Sequence, residues 1–265
     1  VSRVLKTLDV DSTALGFAGG FPGKFISKTL EESKIHTDFI EVDEDTRINV
    51  KLKSGQETEI NAPGPKVTQE QFQALITQIK NTTSEDTVIV AGSVPNSIPS
   101  DAYAQIAEIT KNTGAKLVVD AEKDLVDTVL PYRPLFIKPN KDELEVMFNT
   151  TVSSDHDVVK YGKEILKKGA QSVIISLGGD GAIYVDEHQS IKAENPQGKV
   201  INTVGSGDST VAGMVAGLES GLSIQDAFKQ AVASGTATAF EEDLATRDAI
   251  EKIKSQVTVS VLDGE

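Results

Sequence analysis

The amino-acid sequence predicts an α/β protein with a mostly parallel, doubly wound sheet. From residue 68 onward, segments with helical spacing of apolar residues alternate with short strands that are apolar at successive positions. A glycine-containing turn at residues 202–215 leads into a further helix. Strands covered by helices on both faces lack polar alternation. We therefore expect a central sheet between two layers of helices.

The predicted helices have apolar residues three and four positions apart. The first covers residues 1–8, and Thr68 with Gln71 forms a capping box for another that ends near residue 80. The remaining predicted helices cover residues 24–32, 100–111, 122 onward, 223–234 and 248–257. The predicted strands are short and flanked by turn residues. They cover residues 87–91, 116–120, 135–138 and 172–175.

Two stretches with alternating polar and apolar residues predict a hairpin. Residues 47–52 alternate in this way, and residues 57–60 do so again after a Ser-Gly turn. Because an isolated hairpin is marginally stable in water, we expect it to pack on other strands or on a partner chain. We place it at about residues 45–62 of a single domain spanning residues 1–265, where it would serve as a lid.

The composition excludes several classes of function. The formal net charge is -14 and the isoelectric point is near 4.7, which argues against nucleic acid or an anionic membrane as a partner because both bind basic surfaces. The sequence has no cysteine, so disulfides, thiolate metal sites and thiol nucleophiles are excluded. We find no signal peptide and no apolar run of about 20 residues, and we predict a soluble, cytoplasmic protein.

The turn at residues 202–215 has the pattern of an anion site. Gly205 and Gly207 permit a tight backbone, and Asp208 follows in the first helical turn. Unpaired N–H groups at a helix N-terminus favour negative charge, so the amides around Ser206 are suited to a developing anion. Asp208 would then accept a proton from a hydroxyl nucleophile. On spacing alone, a tight turn with an aspartate cap is equally typical.

Two common phosphate-binding motifs do not fit the sequence. A dinucleotide fingerprint needs a third glycine where this chain has Thr210. A P-loop at residues 17–24 is incomplete, because Ala18 replaces its first glycine and Phe25 its metal-binding Ser or Thr. We interpret this second stretch as a turn before a helix, with Phe25, Ile26 and Leu30 on the inner side of that helix.

Small or polar residues follow four of the predicted strands. Ligands of parallel sheets lie at the carboxyl ends of the strands, so we expect these residues along one edge. Any one loop is ordinary, but four at a common edge support a binding function. In chain order they are Gly92, Ser93, Val94 and Pro95; Asp120; Lys138, Pro139 and Asn140, with Glu143 one helical turn later; and Ser176, Leu177, Gly178, Gly179, Asp180 and Gly181.

Residues 202–215 resemble, position by position, the C-terminal signature of the PfkB, or ribokinase-like, carbohydrate kinases. Residues 138–143 and 176–181 are similar to two further motifs of that family, in the same order. The resemblance covers essentially the whole chain. It implies a ribokinase-like three-layer α/β/α sandwich with a small β-sheet lid, and a kinase that uses ATP and Mg²⁺ to phosphorylate a small-molecule sugar phosphate.

The resemblance also implies a role for each residue that matches a family motif. Asp208 would be the catalytic base, with Gly205, Ser206 and Gly207 as the anion hole. ATP would contact Lys138, Asn140, Glu143, Ser176, Gly178, Gly179, Gly181 and Gly207; Mg²⁺ would contact Asn140 and Glu143; and the sugar phosphate would contact Arg47, Asn49, Ser93 and Asp208.

Within the family, residues 46–51 and 59–65 most resemble kinases of fructose 1-phosphate, with kinases of tagatose 6-phosphate as the close alternative. The resemblance implies a homodimer formed through the lid. It also implies a family segment before Val1 that supplies part of the sugar site, so a nucleotide-binding protein without turnover is the alternative from another class. Residues 235–239 are small, which suits either an approaching adenine ring or close helix packing.

Overall fold

The computed structural model describes residues 1–54, 56–92 and 94–262. Within these ranges, no helix is long and apolar enough to cross a membrane. The α-helices are α1 (Ser2–Thr7), α2 (Gly20–Glu32), α3 (Gln69–Lys80), α4 (Ala102–Thr113), α5 (Lys123–Val129), α6 (Lys141–Phe148), α7 (Asp155–Lys168), α8 (Ser206–Glu219), α9 (Ile224–Ala239) and α10 (Arg247–Lys254). The strands are β1 (Thr13–Ala18), β2 (His36–Glu41), β3 (Asn49–Ser54), β4 (Gln56–Asn61), β5 (Thr87–Ala91), β6 (Lys116–Asp120), β7 (Phe136–Ile137), β8 (Ser172–Ser176), β9 (Ala182–Asp186), β10 (Ser190–Glu194) and β11 (Thr258–Val261).

A seven-stranded sheet forms the centre of the fold, in the order β11-β10-β9-β8-β7-β6-β5. Strands β5 to β8 pair in parallel. The sheet then continues through β9, β10 and β11, whose pairs are antiparallel. The predicted mostly parallel α/β sheet is confirmed, and its antiparallel side is a feature that the sequence analysis did not specify.

Helices cover both faces of this sheet, because successive side chains of a strand point to opposite faces. Val118 of β6 and Ile174 of β8 pack in one apolar core with residues of α1, α8, α9 and α10. Their neighbours Val119 and Ile175 pack in a second core with residues of α4, α5, α6 and α7. The predicted three-layer arrangement is therefore confirmed.

Strands β1 and β2 form a separate parallel pair that the sequence analysis did not predict. Polar and apolar residues are mixed in β2 without a strand-like period, which explains the omission. A cleft of about 980 Å³ separates the pair from the edge of the main sheet, and its lining includes Thr13, Leu15, Thr87 and Ile89.

Helix α2 begins at Gly20, four residues before the predicted start, and the prediction of its inner side is wrong. Phe25 is 70% exposed and Ile26 is 38% exposed. The buried face instead contains Gly23, where an added Cβ would lie 3.0 Å from the carbonyl carbon of Ala18. Small residues bring α2 against β1, and a search for large apolar residues at helical spacing does not detect such a face.

Strands β3 and β4 form the predicted hairpin, with Asn49 opposite Asn61 at its base. Val50 lies directly opposite Ile60, and their side chains are 42% and 55% exposed. Ile48, the residue immediately before β3, is also exposed. The hairpin thus carries an apolar face. Its action as a lid stays a prediction.

Helices α8 and α9 pack against each other through small residues. A Cβ on Gly217 would lie 2.7 Å from the Cα atom of Ala227, which is closer than real Cβ contacts. A Cβ on Gly235 would overlap Oγ1 of Thr210. Helix α9 extends to Ala239, five residues past its predicted end. At Gly235, therefore, the small residue serves close helix packing.

We expect Gly217→Ala to lower the free energy of unfolding by about 1 kcal/mol, the middle of the net range. Overpacking costs about 1–3 kcal/mol, and the added methyl group would meet backbone of α9. The helix-propensity gain of about 1 kcal/mol offsets this only in part. Urea denaturation at neutral pH measures the change.

Gly64→Ala is the matched control for this substitution. Its Cβ would lie 3.5 Å from Cγ of Pro95, an ordinary contact. We expect it to change the free energy of unfolding by less than about 0.5 kcal/mol. Equal stability of Gly217→Ala and the wild type would contradict a close α8–α9 contact at this position.

Candidate active site

Gly205 is the N-cap residue of α8, and its φ of 82° is left-handed. A Cβ at this position would also lie 2.8 Å from Cδ2 of Leu244. Glycine is therefore required by the backbone conformation, whereas the Leu244 side chain could move away from an added Cβ. Ser206, Gly207 and Asp208 form the first turn of the helix. The predicted turn from glycine into a helix is present.

The amide groups of this turn differ in their partners. The Ser206 N–H donates to the carbonyl oxygen of Thr203 at 3.2 Å. The N–H groups of Gly207 and Asp208 have no carbonyl partner within α8, because the first turn of any α-helix leaves them unpaired. These two amides are the better donors for an anion. The Ser206 amide is thus less available for the predicted anion hole than those two amides are. The Ser206 hydroxyl is buried without a hydrogen-bond partner among the described residues.

Contacts with α9 hold this turn in place. Ser209 is fully buried, and its hydroxyl accepts a hydrogen bond of 2.9 Å from Thr238 Oγ1. The side-chain amide of Asn202 donates to the carbonyl oxygen of Glu242 at 3.0 Å. The backbone N–H groups of Ile201 and Asn202 both donate to the carbonyl oxygen of Ala239. The turn and the start of α8 are therefore fixed to the C-terminal end of α9.

Lys138 places a buried positive charge beside the turn. Its side chain is 8% exposed, and its Nζ lies 3.3 Å from Oδ1 of Asp120. A Cβ on Gly207 would lie 3.3 Å from the same Nζ. Lys138 follows β7 and Asp120 ends β6, and these strands are parallel neighbours. The predicted common edge of the sheet is therefore real for these residues, and it adds a cation to the N-terminus of α8.

Asp120 is a residue to which the sequence analysis gave no role. Burial raises the pKa of its carboxyl group; the nearby Lys138 ammonium lowers that pKa, and the Asp208 carboxylate raises it. The two carboxylates are thus close enough to interact electrically. The available sequence signal was the position of Asp120 at the carboxyl end of the strand before β7, but only the tertiary contact with Lys138 gives it a partner.

Asn140 and Glu143 form a reciprocal cap on α6. Asn140 Oδ1 accepts a hydrogen bond of 2.8 Å from the Glu143 N–H, and Glu143 Oε2 accepts one of 2.7 Å from the Asn140 N–H. In the described ranges, no group of three or more His, Cys, Asp and Glu side chains could hold a metal ion. Mg²⁺ is commonly bound by one or two carboxylates together with substrate phosphates. A single carboxylate such as that of Glu143 could bind Mg²⁺ only together with oxygen atoms from a substrate.

The glycines between β8 and β9 differ in their surroundings. A Cβ on Gly178 or Gly179 would meet no atom within 4 Å, which leaves room for a ligand at the backbone. A Cβ on Gly181 would overlap the carbonyl oxygen of Ala193 in β10. Gly181 is therefore required by packing within the sheet. Ser176 forms a parallel bridge to Asn140, which brings this turn beside the N-terminus of α6.

Arg47 lies in a different pocket, of about 320 Å³, between the hairpin base and the loop after β5. Residues 94–97 line its other side, and its lining includes none of residues 205–208. Asn49 is exposed at the start of β3. Ser93 lies outside the described residues. Arg47 and the loop after β5 thus line one pocket, which shares no lining residue with residues 205–208. Their role in binding a sugar phosphate stays a prediction.

The family of the chain follows from comparison with known proteins. A sequence model described as "pfkB family carbohydrate kinase" matches residues 1–250. The chain belongs to the pfkB family of carbohydrate kinases. The family predicted from residues 202–215 is thereby confirmed.

Three curated relatives align with nearly the whole of this chain, and their names give different substrates. The chain is 44% identical over 262 residues to 1-phosphofructokinase of Bacillus subtilis, and the alignment covers 99% of this chain and 86% of the relative. It is 37% identical over 263 residues to D-tagatose-1-phosphate kinase of Bacillus licheniformis, with 99% and 86% covered. It is 32% identical over 268 residues to tagatose-6-phosphate kinase of Staphylococcus epidermidis, with 98% and 86% covered.

A crystal structure from Staphylococcus aureus, of a protein provisionally named as a phosphofructokinase, matches with a TM-score of 0.91 and 81% identity. The match covers 100% of this chain and 86% of that one. The predicted ribokinase-like fold and the predicted ATP-dependent sugar-phosphate kinase are confirmed by these comparisons. The expectation that a family segment is missing before Val1 is not borne out by them.

Proposed function

We propose that this pfkB-family kinase transfers the γ-phosphoryl group of ATP to the C6 hydroxyl of fructose 1-phosphate, which yields fructose 1,6-bisphosphate. Identity is higher to the two relatives named as 1-phosphate kinases than to the one named as a 6-phosphate kinase. One observation carries the chemistry: Asp208 stands in the first turn of α8, directly after Gly207, whose Cα lies against the buried Lys138 amine.

Phosphoryl transfer depends on alignment and charge neutralisation more than on covalent chemistry by the protein. Asp208 would orient the attacking hydroxyl and accept its proton, because its carboxylate is beside the anion site. The amides of Gly207 and Asp208 would donate to the transferring oxygens, where negative charge is held in the transition state. Lys138 would add a positive charge to the same side of the phosphoryl group.

The nucleotide would lie along the edge formed by α6 and the β8–β9 turn. Gly178 and Gly179 leave their backbone open to a ligand. When bound, Mg²⁺ would neutralise charge on the phosphates, and Asn140 and Glu143 at the start of α6 are the residues that would hold it. Asp120 would set the position of the Lys138 amine through its contact of 3.3 Å.

The phosphate already present on the sugar would bind near Arg47. A guanidinium group matches phosphate geometry with two parallel donors. The pocket around Arg47 also contains Lys66 and the polar side chains of Asn96 and Ser97. Because the net charge of the chain is -14, an anionic substrate has to be held by such local cations and dipoles.

The activity is tested by ADP release with Mg·ATP and a panel of sugar phosphates. We expect kcat/KM for fructose 1-phosphate to exceed that for fructose 6-phosphate and for tagatose 6-phosphate by at least about tenfold, since misplaced phosphate would leave polar groups of the site unpaired. Preference for tagatose 6-phosphate would keep the mechanism and change the substrate. Absence of turnover with every sugar phosphate would contradict the proposal.

We expect Asp208→Asn to lower kcat by at least about 100-fold, since it removes a general base. Nucleotide affinity, measured by calorimetry with ADP, should be largely kept. The matched control is Asp226→Asn, because Asp226 holds the corresponding first-turn position in α9 and is exposed. A kcat within a few-fold of wild type for Asp208→Asn would rule out the base role.

The apolar face of the hairpin supports a homodimer formed through it. Val50 and Ile60 are exposed and lie opposite each other in the two-stranded sheet, and Ile48 is exposed immediately before it. A two-stranded hairpin has little stability in water by itself. We infer that a second copy of the chain covers this face, which would bury the three side chains and order the rim of the Arg47 pocket.

We expect the double substitution Val50→Lys and Ile60→Lys to shift the protein from dimer to monomer in analytical ultracentrifugation, because it would bury charges in the proposed interface. Val146→Lys is the control, since Val146 is 66% exposed on α6 and outside the hairpin. An unchanged dimer with the double substitution would place the interface elsewhere. A monomeric wild type would reject the dimer.

A further inference from the structure

We propose that Asn195 is a positioning residue for the nucleotide: it holds the β8–β9 turn at a fixed distance from α8 and α9. The inference rests on the proposed function, because it assigns the turn to ATP. Asn195 belongs to none of the motifs that carry the family resemblance. It lies immediately after β10, and its side chain connects two elements that are distant in the sequence.

The side-chain amide of Asn195 contacts the turn directly. Its Nδ2 donates to the carbonyl oxygen of Gly178 at 2.9 Å and, more weakly, to that of Gly179 at 3.4 Å. These are the two glycines whose Cα atoms face open space. The carbonyl groups of the β8–β9 turn are therefore held by hydrogen bonds to Asn195, while the Cα atoms of its two glycines remain accessible. Such an arrangement presents a rigid backbone surface to a ligand.

The other end of the Asn195 side chain is anchored to α9. Thr236 is buried, and its Oγ1 donates to Asn195 Oδ1 at 2.7 Å. The adjacent Gly235 packs against Thr210 of α8. Thr210 Oγ1 in turn donates to the carbonyl oxygen of Ser206, in the first turn of α8. A continuous series of contacts thus joins the proposed nucleotide turn to the proposed anion site.

The chemistry of the side chain explains why asparagine suits this position. An amide offers donors on one atom and an acceptor on the other, and both are used here. Aspartate would keep the acceptor toward Thr236 but would have no donor for the two glycine carbonyls. Pro196 follows directly, and the residue before a proline is restricted to extended conformations. The backbone of Asn195 is therefore also constrained.

If the turn contacts the nucleotide, its displacement should weaken ATP binding and leave the chemical step intact. We expect Asn195→Asp to raise KM for ATP by about 3- to 10-fold, the range for loss of one or two ordinary hydrogen bonds. The kcat value and KM for the sugar phosphate should change by less than about twofold. Direct binding of ADP, measured by calorimetry, should weaken by the same factor as KM for ATP rises.

Substitutions of Thr236 test the anchor without touching Asn195. Thr236→Val removes the hydroxyl donor at nearly constant shape and should also raise KM for ATP. Thr236→Ser keeps the hydroxyl and should restore a nearly wild-type KM. The matched control is Gln171→Ala: the Gln171 side-chain amide also donates to a backbone carbonyl, that of Arg133 at 2.9 Å, but at the opposite end of β8. It should leave KM for ATP unchanged.

The outcomes separate this inference from the proposed function. If the wild type phosphorylates a sugar phosphate but Asn195→Asp and Thr236→Val keep its KM for ATP, the positioning role is wrong and the function stands. Equal increases in KM for both substrates would indicate a general structural role and would overturn the inference. If the wild type neither binds ADP nor turns over, the proposed function is wrong and the inference is wrong with it.

Discussion

Helices α8 and α9 approach each other closely because glycines lie at their contact. Gly213 and Gly217 of α8 lie against the backbone of α9, and Gly235 of α9 lies against Thr210 of α8. A glycine inside a helix costs about 1 kcal/mol relative to alanine. The short distance that results lets the hydroxyl groups of Ser209 and Thr238 meet at 2.9 Å, fully inside the protein. This contact positions the first turn of α8. The amide donors and the carboxylate of the candidate active site belong to that turn.

The charge arrangement follows from the acidity of the whole chain. A net charge of -14 repels an anionic ligand at long range, and salt screens that repulsion beyond about 8 Å. Local positive charge therefore has to come from a helix N-terminus and from Lys138. A buried ammonium group without a counterion is strongly unfavourable, and Asp120 supplies one. Burial raises the pKa of Asp120, and the nearby Lys138 ammonium group opposes that rise.

Much of the fold was predictable because its signals are local. Helices α3 and α4 have apolar spacing and polar residues at their starts, and β5, β6 and β8 are apolar runs between turns. The hairpin alternates with period two. The parallel pair of β1 with β2 and the buried face of α2 were not predictable, because small or mixed residues form them. Their stability comes from contacts between elements, which the pattern along one segment does not contain.

The glycines of the candidate site show where sequence patterns stop being informative. Gly178 and Gly181 belong to one motif, yet the first faces open space and the second is packed against Ala193. Gly205 and Gly207 belong to another, yet the first is required by its left-handed backbone, whereas a Cβ on the second would lie 3.3 Å from the Lys138 amine. A motif therefore identifies a ligand-binding turn without saying which glycine faces the ligand. Only the tertiary neighbours of each Cα make that distinction, and in the β8–β9 turn they leave Gly178 open and Gly181 packed.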